Sequence, residues 1–373
     1  MLVMKTVCDF DMCVGCMACV GVCHKNAITI DKSVMAYNAI INEDKCSSCD
    51  MCKKICQNNN ELDFYDQINV YQGWARDEIL RAQGSSGGVA TAIMHKFIQD
   101  GGIVCSCLYK NDDFVFEFVN KIDEITKFSG SKYVKSNTNN IYQEIIQQLK
   151  NQNNVLFVGL PCQVAGLKTL VDENLSRYLY TIDLICHGTP DIKIFKKYVN
   201  SQKYDLKSVD KIIFRDKEKY KIYGIKKGER MPVVPEGIED NYLFAFMNGL
   251  CLTNNCYYCK FARLKRVSDI TLGDSLGSSL QKEREQGISL ILCQTEKGQG
   301  LIQNSNISLN VVDLDNAIKN NQQLSHPITM PNNRDRFFRI LEKVKSFSIT
   351  MLFLYPKRTI KQSIKKCILK WRK

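Results

Sequence analysis

Cysteine recurs at fixed intervals in two sets near the start of the chain. Each set has two, two and three residues between consecutive cysteines, and Cys46 lies 33 positions after Cys13. The two sets are Cys13, Cys16, Cys19 and Cys23, and Cys46, Cys49, Cys52 and Cys56. A C-x2-C-x2-C loop can offer three thiolates to a [4Fe–4S] cluster, and a distant cysteine then supplies the fourth. The duplicated motif therefore predicts two such clusters.

The fourth ligand of each cluster is predicted to come from the other motif. In two-cluster ferredoxins the last cysteine of one motif ligates the cluster of the other. We therefore assign Cys56 to the first cluster and Cys23 to the second. Zinc is the alternative, but three cysteines this crowded fit one tetrahedral ion poorly. Cys8 lies outside the pattern and is interpreted as uninvolved.

Four more thiols in the second half of the chain are candidates for a third cluster. The segment GLPCQVAGL places Cys162 between a predicted strand and a helix, and DLICHGTPD places Cys186 at the end of the next strand. The segment NNCYYCKF adds Cys256 and Cys259. The carboxyl ends of parallel strands share one edge of a sheet, where α/β folds bind ligands. Cys162 and Cys186 could equally be buried apolar cysteines.

The elements that must position these thiols follow from short apolar runs that alternate with helical patterns. The predicted strands are 103–109, 114–119, 155–159, 178–186, 211–214, 269–272 and 288–293, and the predicted helices are 141–149, 164–171 and 241–249. The order strand, helix, strand implies parallel pairing. The predicted fold class is α+β. The chain is predicted to contain a bacterial-type two-cluster ferredoxin domain (residues 1–62), a larger α/β domain with a partly parallel sheet (63–345) and a basic C-terminal tail (346–373).

Composition and charge narrow the function classes. The chain has 18 cysteines, and its first residues lack a long apolar run or a cleavage site of small residues, so we expect a cytoplasmic protein with reduced thiols. Its net charge is +12, and residues 357–373 carry eight basic residues and no acidic one. Ile360, Ile364, Ile368 and Trp371 recur there at helical spacing. This tail is either an amphipathic helix that contacts an anionic membrane or an acidic partner, or a solvated basic segment. No basic and aromatic groove motif suggests nucleic acid.

Seven motifs in a fixed order carry a family resemblance. They are SSGGVATA, GSKYVKS, GLPCQVAGL, CHGTP, CYYCKF, SDITLGD and GISLIL. On these motifs the chain resembles the coenzyme F420 hydrogenase/dehydrogenase beta subunit family, here with a two-cluster ferredoxin in front. The resemblance implies FAD, iron–sulfur clusters and electron transfer between a deazaflavin or ferredoxin and another redox partner. The family usually has an aromatic pair after Gly273-Asp274, whereas this chain has Ser275-Leu276, so the shape of its substrate or coenzyme pocket differs.

The resemblance also implies a flavin site. The residues that would approach the flavin or its phosphates are Ser85, Ser86, Gly87, Gly88, Ser131, Lys132 and Tyr133. Small residues at a helix start expose N–H groups that suit phosphate, but Ser85 could also be a simple helix cap and Lys132 a surface lysine. His187 follows Cys186 and is the candidate proton donor near a reduced flavin, with a structural role as the alternative.

These features lead to one main functional hypothesis. The chain is expected to be an iron–sulfur flavoprotein oxidoreductase that passes electrons between ferredoxin-type clusters and FAD. Coenzyme F420 or another soluble two-electron partner would be its substrate. The alternatives are a non-catalytic electron-carrier subunit and a reductase of cell-surface polysaccharide biosynthesis.

Overall fold

The computed structural model describes residues 4–371. Within this range the strands form a two-stranded, a three-stranded and an eight-stranded sheet. The strands are β1 (Ile28–Lys32), β2 (Tyr37–Ile41), β3 (Asn69–Ala75), β4 (Ile103–Lys110), β5 (Asp113–Val119), β6 (Val155–Val158), β7 (Leu179–Leu184), β8 (Lys211–Asp216), β9 (Lys219–Lys226), β10 (Glu229–Pro232), β11 (Ile270–Asp274), β12 (Ser289–Cys293) and β13 (Ile307–Val311).

Helices precede, connect and follow the strands of the large sheet. They are α1 (Ala18–Val22), α2 (Met51–Lys54), α3 (Glu78–Gln83), α4 (Val89–Gln99), α5 (Ile141–Lys150), α6 (Pro161–Lys168), α7 (Glu173–Ser176), α8 (Ile192–Ser201), α9 (Asn241–Met247), α10 (Gln281–Gln286), α11 (Glu296–Asn304), α12 (Leu314–Asn320), α13 (Arg334–Val344), α14 (Phe347–Leu354) and α15 (Pro356–Trp371). No helix of the described residues is both long and apolar enough to cross a bilayer.

The large sheet is partly parallel, as the sequence predicted. Its strand order is β13-β3-β12-β11-β7-β6-β4-β5. Strands β4, β6, β7 and β11 pair in parallel, and the remaining neighbours pair antiparallel. All four residues of β6 are buried, because helices or loops cover both faces of a parallel strand. The parallel strands bring the loops after β6 and β7 to one edge of the sheet.

Most predicted elements differ from the structure by one to three residues at an end, and two of these shifts concern candidate thiols. The strand predicted for 178–186 ends at Leu184, so Cys186 lies in the loop two residues beyond it. The helix predicted for 164–171 begins earlier, at Pro161, because proline is favoured at the first position of a helix. Cys162 is therefore the second residue of α6. Both shifts leave the thiols at the carboxyl edge of the sheet.

The segment that carries the duplicated cysteine motif packs against the large sheet domain. The hydroxyl of Tyr37 on β2 donates to the carboxylate of Asp191, the cap of α8, at 2.6 Å. The hydroxyl of Thr138 donates to the carbonyl oxygen of Cys16 at 2.8 Å. Both contacts are partly or fully buried, so they hold the two segments in a defined relative position.

A buried ion pair fixes the segment that follows Cys259. The guanidinium of Arg266 lies 3.0 Å from the carboxylate of Asp183 on β7, and both side chains are almost fully buried. Arg266 also donates to the carbonyl oxygen of Phe261 at 2.7 Å. The pair therefore ties the loop after Cys259 to the central strand that precedes Cys186.

Arg266→Leu should destabilise the protein strongly. It leaves the carboxylate of Asp183 buried without its cation, and breaking such a pair costs about 3–5 kcal/mol. The measurement is the urea midpoint of unfolding under anaerobic conditions. Lys265→Leu is the matched control, because Lys265 forms an exposed ion pair with Asp66, and such pairs contribute little. Similar midpoints for the two variants would contradict the role given to Arg266.

Candidate metal centres

The two cysteine motifs adopt the same local conformation. The backbone N–H of Gly15 donates to the Sγ of Cys13 at 3.4 Å, and that of Ser48 donates to the Sγ of Cys46 at the same distance. Both N–H donors belong to residues with positive φ, 68° and 55°. Gly15 adopts this conformation without strain, and its missing side chain also leaves space for the ring of Tyr37. The sequence repeat is therefore a structural repeat.

The equivalence extends to the helices that carry the third cysteine of each motif. Met17 and Asp50, again 33 positions apart, are both left-handed and directly precede α1 and α2. Cys19 lies on α1 and Cys52 on α2, and the two helices contact each other. The repeat thus places the third cysteine of each motif on one helix of a contacting pair.

The first set of thiols surrounds a narrow cavity together with one cysteine of the second motif. The cysteines that line it are Cys8, Cys13, Cys16, Cys19 and Cys56. Cys56 is the ligand that the crossed arrangement assigns to this site. The spacing of the cysteines gives Cys8 no role, yet its thiol borders the same cavity. Its pKa is raised to about 11, first by a hydrogen bond to Cys13 and also by burial.

The second set of thiols lines a separate cavity of about 160 Å³. Its cysteines are Cys23, Cys46, Cys49 and Cys52. Cys23, from the first motif, receives a hydrogen bond from the N–H of Ala27 at 3.3 Å. Cys49 is exposed, so this cavity opens to solvent beside a thiol.

The third group of candidate thiols converges on one cavity of about 200 Å³. Its cysteines are Cys162, Cys186, Cys256 and Cys259. They come from the start of α6, the loop after β7 and the C-x2-C segment. The Sγ of Cys256 accepts the N–H of Thr189 at 3.4 Å and lies at the same distance from the hydroxyl of Thr253.

Burial and mutual proximity make the thiols of Cys186 and Cys259 difficult to ionise without a counter-charge. Burial, followed by the neighbouring Cys256 and Cys162, raises the pKa of Cys186 above its ordinary value. The same causes raise the pKa of Cys259 to about 12. A bound metal centre is positively charged and deprotonates the thiols that coordinate it. The third cavity thus has the chemistry of a metal-binding thiol site.

The grouping of the cysteines suits clusters with four thiolate ligands. Among the residues that the structure describes, no three His, Cys, Asp or Glu side chains approach closely enough to hold one metal ion. Twelve cysteines nevertheless line three cavities in groups of four, with Cys8 as a fifth member of the first group. A cluster of four irons separates its ligands more widely than a zinc ion does. The donor sets therefore suit iron–sulfur clusters.

Lys135 places a positive charge next to two of the thiol groups. Its ammonium donates to the carbonyl oxygen of Val14 at 3.0 Å, and the side chain lines the third cavity. Burial opposes its positive charge, but the thiols of Cys162, Cys256, Cys186 and Cys13 raise the pKa of Lys135 above the ordinary value. A buried cation at this position would stabilise the more negative, reduced state of a neighbouring cluster.

Lys135→Gln should lower the reduction potential of the nearest cluster. We expect a decrease on the order of 50 mV, which is roughly a tenfold change in a one-electron equilibrium. Redox titration monitored by electron paramagnetic resonance measures it. Lys297→Gln is the control, because Lys297 also donates to backbone carbonyls, at Ser176 and Leu179, but lies at a different cavity. Equal potentials in the wild type and Lys135→Gln would remove this role.

The first and third thiol groups are in direct structural contact. The side chain amide of Gln57, the residue after Cys56, donates to the carbonyl oxygen of Cys162 at 2.6 Å. Gly166 on α6 approaches Cys16 so closely that a Cβ atom there would lie 2.9 Å from the Cβ of Cys16. Gln57 stands where ferredoxins usually have proline, and here it forms this link. The two groups are thus positioned as neighbours.

His187 lies beside the third thiol group. Its Nε2 donates to the carbonyl oxygen of Phe246 at 3.2 Å, and the two rings are 5.1 Å apart. Burial lowers the pKa of His187 below its ordinary value, so the imidazole is neutral at neutral pH. A neutral ring with its N–H engaged fits a structural role at least as well as proton donation.

The Ser-Ser-Gly-Gly turn before α4 contacts the second segment predicted for the flavin. The hydroxyl oxygen of Ser85 accepts the N–H of Ser131 at 2.8 Å. The hydroxyl of Ser86 donates to the carbonyl of Ile288 at 2.7 Å, and the N–H of Gly87 donates to the hydroxyl of Ser289 at 3.0 Å. The turn and residues 131–133 therefore meet, although protein atoms already satisfy several of the polar groups of the turn.

Cations surround this turn. The ammonium of Lys217 donates to the carbonyl oxygens of Gly84 and Ser86, at 2.8 and 3.1 Å. Burial, with smaller contributions from Arg81 and Arg215 and against the opposing effect of Asp216, lowers the pKa of Lys217 to about 8. Burial, together with Lys132, likewise lowers the pKa of Lys211 to about 8. Arg81 and Arg215 form ion pairs with Glu283 and Asp274, so the positive charge that an anionic ligand could use here comes from Lys211 and Lys217.

Aromatic rings connect the turn region with the third thiol group. The ring of Tyr133 stacks on Phe246 with centroids 4.6 Å apart, and Phe246 in turn contacts His187.

Gly88, the fourth residue of the turn, caps α4 in a left-handed conformation. Lys132 donates to the carbonyl oxygen of Phe128.

Two family models match this chain. Residues 152–317 match the model for the C terminus of the coenzyme F420 hydrogenase/dehydrogenase beta subunit, and residues 70–142 match the model for its N-terminal part. The chain belongs to the coenzyme F420 hydrogenase/dehydrogenase beta subunit family. As a family member it is an oxidoreductase, and its many cysteines fit an iron–sulfur electron-transfer role.

The family models cover the third thiol group and the turn but not the duplicated motif, which precedes residue 70. A solved structure with some similarity is the xenon-derivatised F420-reducing [NiFe] hydrogenase complex from Methanosarcina barkeri. One chain of it is 17% identical with a TM-score of 0.48, and the alignment covers 71% of this chain and 94% of that one. No curated protein sequence matches the chain.

Sequence reasoning missed three residues that this member of the beta subunit family places at its thiol groups. They are Cys8, Lys135 and Gly166. Lys135 is the second lysine of the GSKYVKS motif. The family resemblance assigns only residues 131–133 of this motif to a site, the flavin site. Cys8 lies five residues before Cys13 but outside the repeated spacing, and Gly166 lies in the GLPCQVAGL motif but contacts Cys16, which is 150 positions away.

Proposed function

We propose that this chain is an iron–sulfur flavoprotein oxidoreductase that passes electrons between three [4Fe–4S] clusters and FAD. The observation that carries the proposal is the grouping of twelve cysteines, four to each of three cavities. Coenzyme F420, another deazaflavin or a ferredoxin would be its redox partner. We assign residues 1–62 to a ferredoxin-like domain, residues 63–345 to the beta-subunit-like domain and residues 346–373 to a basic tail.

The proposed ligands follow the cavities. The first cluster would be held by Cys13, Cys16, Cys19 and Cys56, the second by Cys23, Cys46, Cys49 and Cys52, and the third by Cys162, Cys186, Cys256 and Cys259. When bound, iron–sulfur clusters pass single electrons, and a flavin links one-electron to two-electron chemistry. The backbone N–H groups of Gly15, Ser48 and Thr189 would then stabilise thiolate charge by hydrogen bonding.

The contacts between the sites suggest an order for electron transfer. The second site borders solvent through Cys49, so it suits exchange with an external redox protein. The first site touches the third through Gln57 and Gly166. The third site approaches the turn region through His187, Phe246 and Tyr133. We therefore infer the order second site, first site, third site and flavin, in either direction.

The residues proposed for FAD are those that meet at the turn before α4. Ser85, Ser86, Gly87 and Gly88 form the turn, and Ser131, Lys132 and Tyr133 lie against it. Lys211 and Lys217 would balance part of the charge of the pyrophosphate. His187 is retained as the candidate proton donor, although its contacts with Phe246 favour a positioning role.

Cofactor analysis of anaerobically purified protein tests the proposal. About 12 iron atoms per chain together with bound FAD would support it. Iron below that of two clusters after reconstitution, or no visible absorbance from iron–sulfur clusters, would overturn it. Reduction of coenzyme F420 or other acceptors by a chemically reduced ferredoxin then identifies the substrate.

One observation favours a second candidate function, a non-catalytic electron-carrier subunit. Several polar groups of the turn already form hydrogen bonds within the protein. The hydroxyl of Ser86 donates to Ile288, and the N–H of Gly87 donates to Ser289. A carrier of this kind would contain iron but no flavin. The flavin content of the same preparation therefore distinguishes the two functions.

A further inference from the structure

Helix α15 exposes an apolar stripe to solvent. Its isoleucines at 360, 364 and 368 are 50%, 56% and 49% exposed, and Trp371 is 93% exposed. These residues are spaced by four, four and three positions, so they share one face of the helix. We call Ile360, Ile364, Ile368 and Trp371 the isoleucine stripe. The preceding helix α14, which packs on α15, exposes Ile349, Leu352 and Phe353 as well.

The opposite, polar face of α15 is the one that packs on the protein. Arg358 forms an ion pair with Glu239 at 2.9 Å, and the side chain of Gln362 accepts the N–H of Glu239 at 3.2 Å. The buried hydroxyl of Thr359 donates to the carbonyl oxygen of Met351 at 3.2 Å. A helix on a protein surface normally buries its apolar face and exposes its polar one. Here the orientation is reversed, which fixes the isoleucine stripe outward.

The charge next to the stripe has a single sign. Residues 356–371 contain six basic residues and no acidic one. Lys357, Lys361 and Lys365 are exposed. At about 100° per residue, Lys357 and Lys361 fall on the same side of the helix as the isoleucines, and Lys365 falls next to them. Apolar residues and lysines therefore form one continuous surface.

We propose that α15 docks on an anionic lipid surface, with the isoleucine stripe inserted at the interface and the lysines against the headgroups. Amphipathic helices with basic residues bind membrane surfaces through buried apolar area and attraction to anionic lipids. Tryptophan favours the membrane–water interface. No described helix can span a bilayer, so the contact is peripheral. This inference is independent of the proposed redox function.

Vesicle co-sedimentation of the full, cofactor-loaded chain tests the proposal. We expect binding to mixed phosphatidylglycerol–phosphatidylcholine vesicles, weak or no binding to pure phosphatidylcholine, and release at high salt. Lys361→Gln with Lys365→Gln should weaken binding by about fivefold per lysine. Ile364→Ser with Ile368→Ser should weaken it by at least about tenfold.

A matched control separates the stripe from general surface hydrophobicity. Val311→Ser removes an apolar side chain that is 82% exposed on β13, and it should bind vesicles like the wild type. Unchanged iron content and circular dichroism verify that each variant folds. Equal binding to neutral vesicles, no binding by the wild type, or full binding by the isoleucine variant would overturn the proposal. Dimerisation through the stripe or binding to polyglutamate, without binding to vesicles, would overturn it in favour of a protein partner.

Discussion

Cys256→Ala is expected to lower the iron content of the purified protein by about one third, from roughly 12 to roughly 8 atoms per chain. Cys256 is one of the four thiols of the third cavity, and its Sγ accepts the N–H of Thr189. Its loss leaves three thiols, and no other cysteine of the described residues lines this cavity to replace it. Colorimetric iron analysis and electron paramagnetic resonance measure the result.

The control for this prediction is Cys251→Ala. Cys251 precedes Cys256 by five residues and is fully buried, but it does not line the third cavity. It should lower stability through the lost core volume and leave the iron content unchanged. If Cys256→Ala retains all its iron, the third cluster is excluded. If both variants lose iron alike, misfolding and not ligand loss explains the change.

The loss of the third cluster should also interrupt electron transfer inside the chain. The third site lies between the first site, which it contacts at Gln57, and the aromatic path through Phe246. The first and second clusters remain in the Cys256→Ala variant, so a reduced ferredoxin should still reduce these two clusters. Any bound flavin should then remain oxidised on the timescale at which it is reduced in the wild type.

Local sequence patterns predicted the parallel part of the large sheet but not its antiparallel part. The apolar runs of β6 and β7, each followed by a helix, determine parallel pairing with their neighbours. Strand β3 pairs with β12 and β13 instead, for example Asn69 with Cys293. Pairing between residues more than two hundred positions apart depends on tertiary packing, which no local pattern encodes.

The candidate sites also contain some features that local sequence patterns predict and others that depend on tertiary packing. Fixed spacing determined how the duplicated motif folds, because its backbone conformation repeats from Gly15 to Ser48. The rule that parallel strands share a carboxyl edge is enough to predict that Cys162 and Cys186 lie close together. Lys135 could not be found in this way, since its partner Val14 lies 121 positions away. The SSGG turn was found by its motif, but its hydrogen bonds to Ile288 and Ser289 were not predictable.

The second prediction concerns which thiols share a cluster in the duplicated motif. Cys23→Ala should remove the second cluster, about four iron atoms, because Cys23 lines the cavity of Cys46, Cys49 and Cys52. Adding Cys46→Ala to Cys23→Ala should remove no more iron, because under crossed ligation Cys23 and Cys46 bind the same cluster. Adding Cys13→Ala should double the loss to about eight iron atoms.

Uncrossed ligation would give the reverse pattern of losses. If Cys23 served the cluster of its own motif, Cys23→Ala with Cys13→Ala would lose about four iron atoms and Cys23→Ala with Cys46→Ala about eight. The substitutions at Cys13 are best made in a Cys8→Ala background, because the thiol of Cys8 borders the first cavity and can replace a missing ligand. Cys8→Ala alone should retain all the iron. Cys367→Ala, an exposed thiol on α15, is the control for general effects.

The pattern of additivity decides the question even when each cluster is only partly loaded. Two substitutions at one cluster share a single loss, whereas substitutions at two clusters are independent and their losses add. The comparison therefore depends on which thiols belong together and not on absolute iron content. The cavity that joins Cys56 to the first motif and the one that joins Cys23 to the second both favour the crossed outcome.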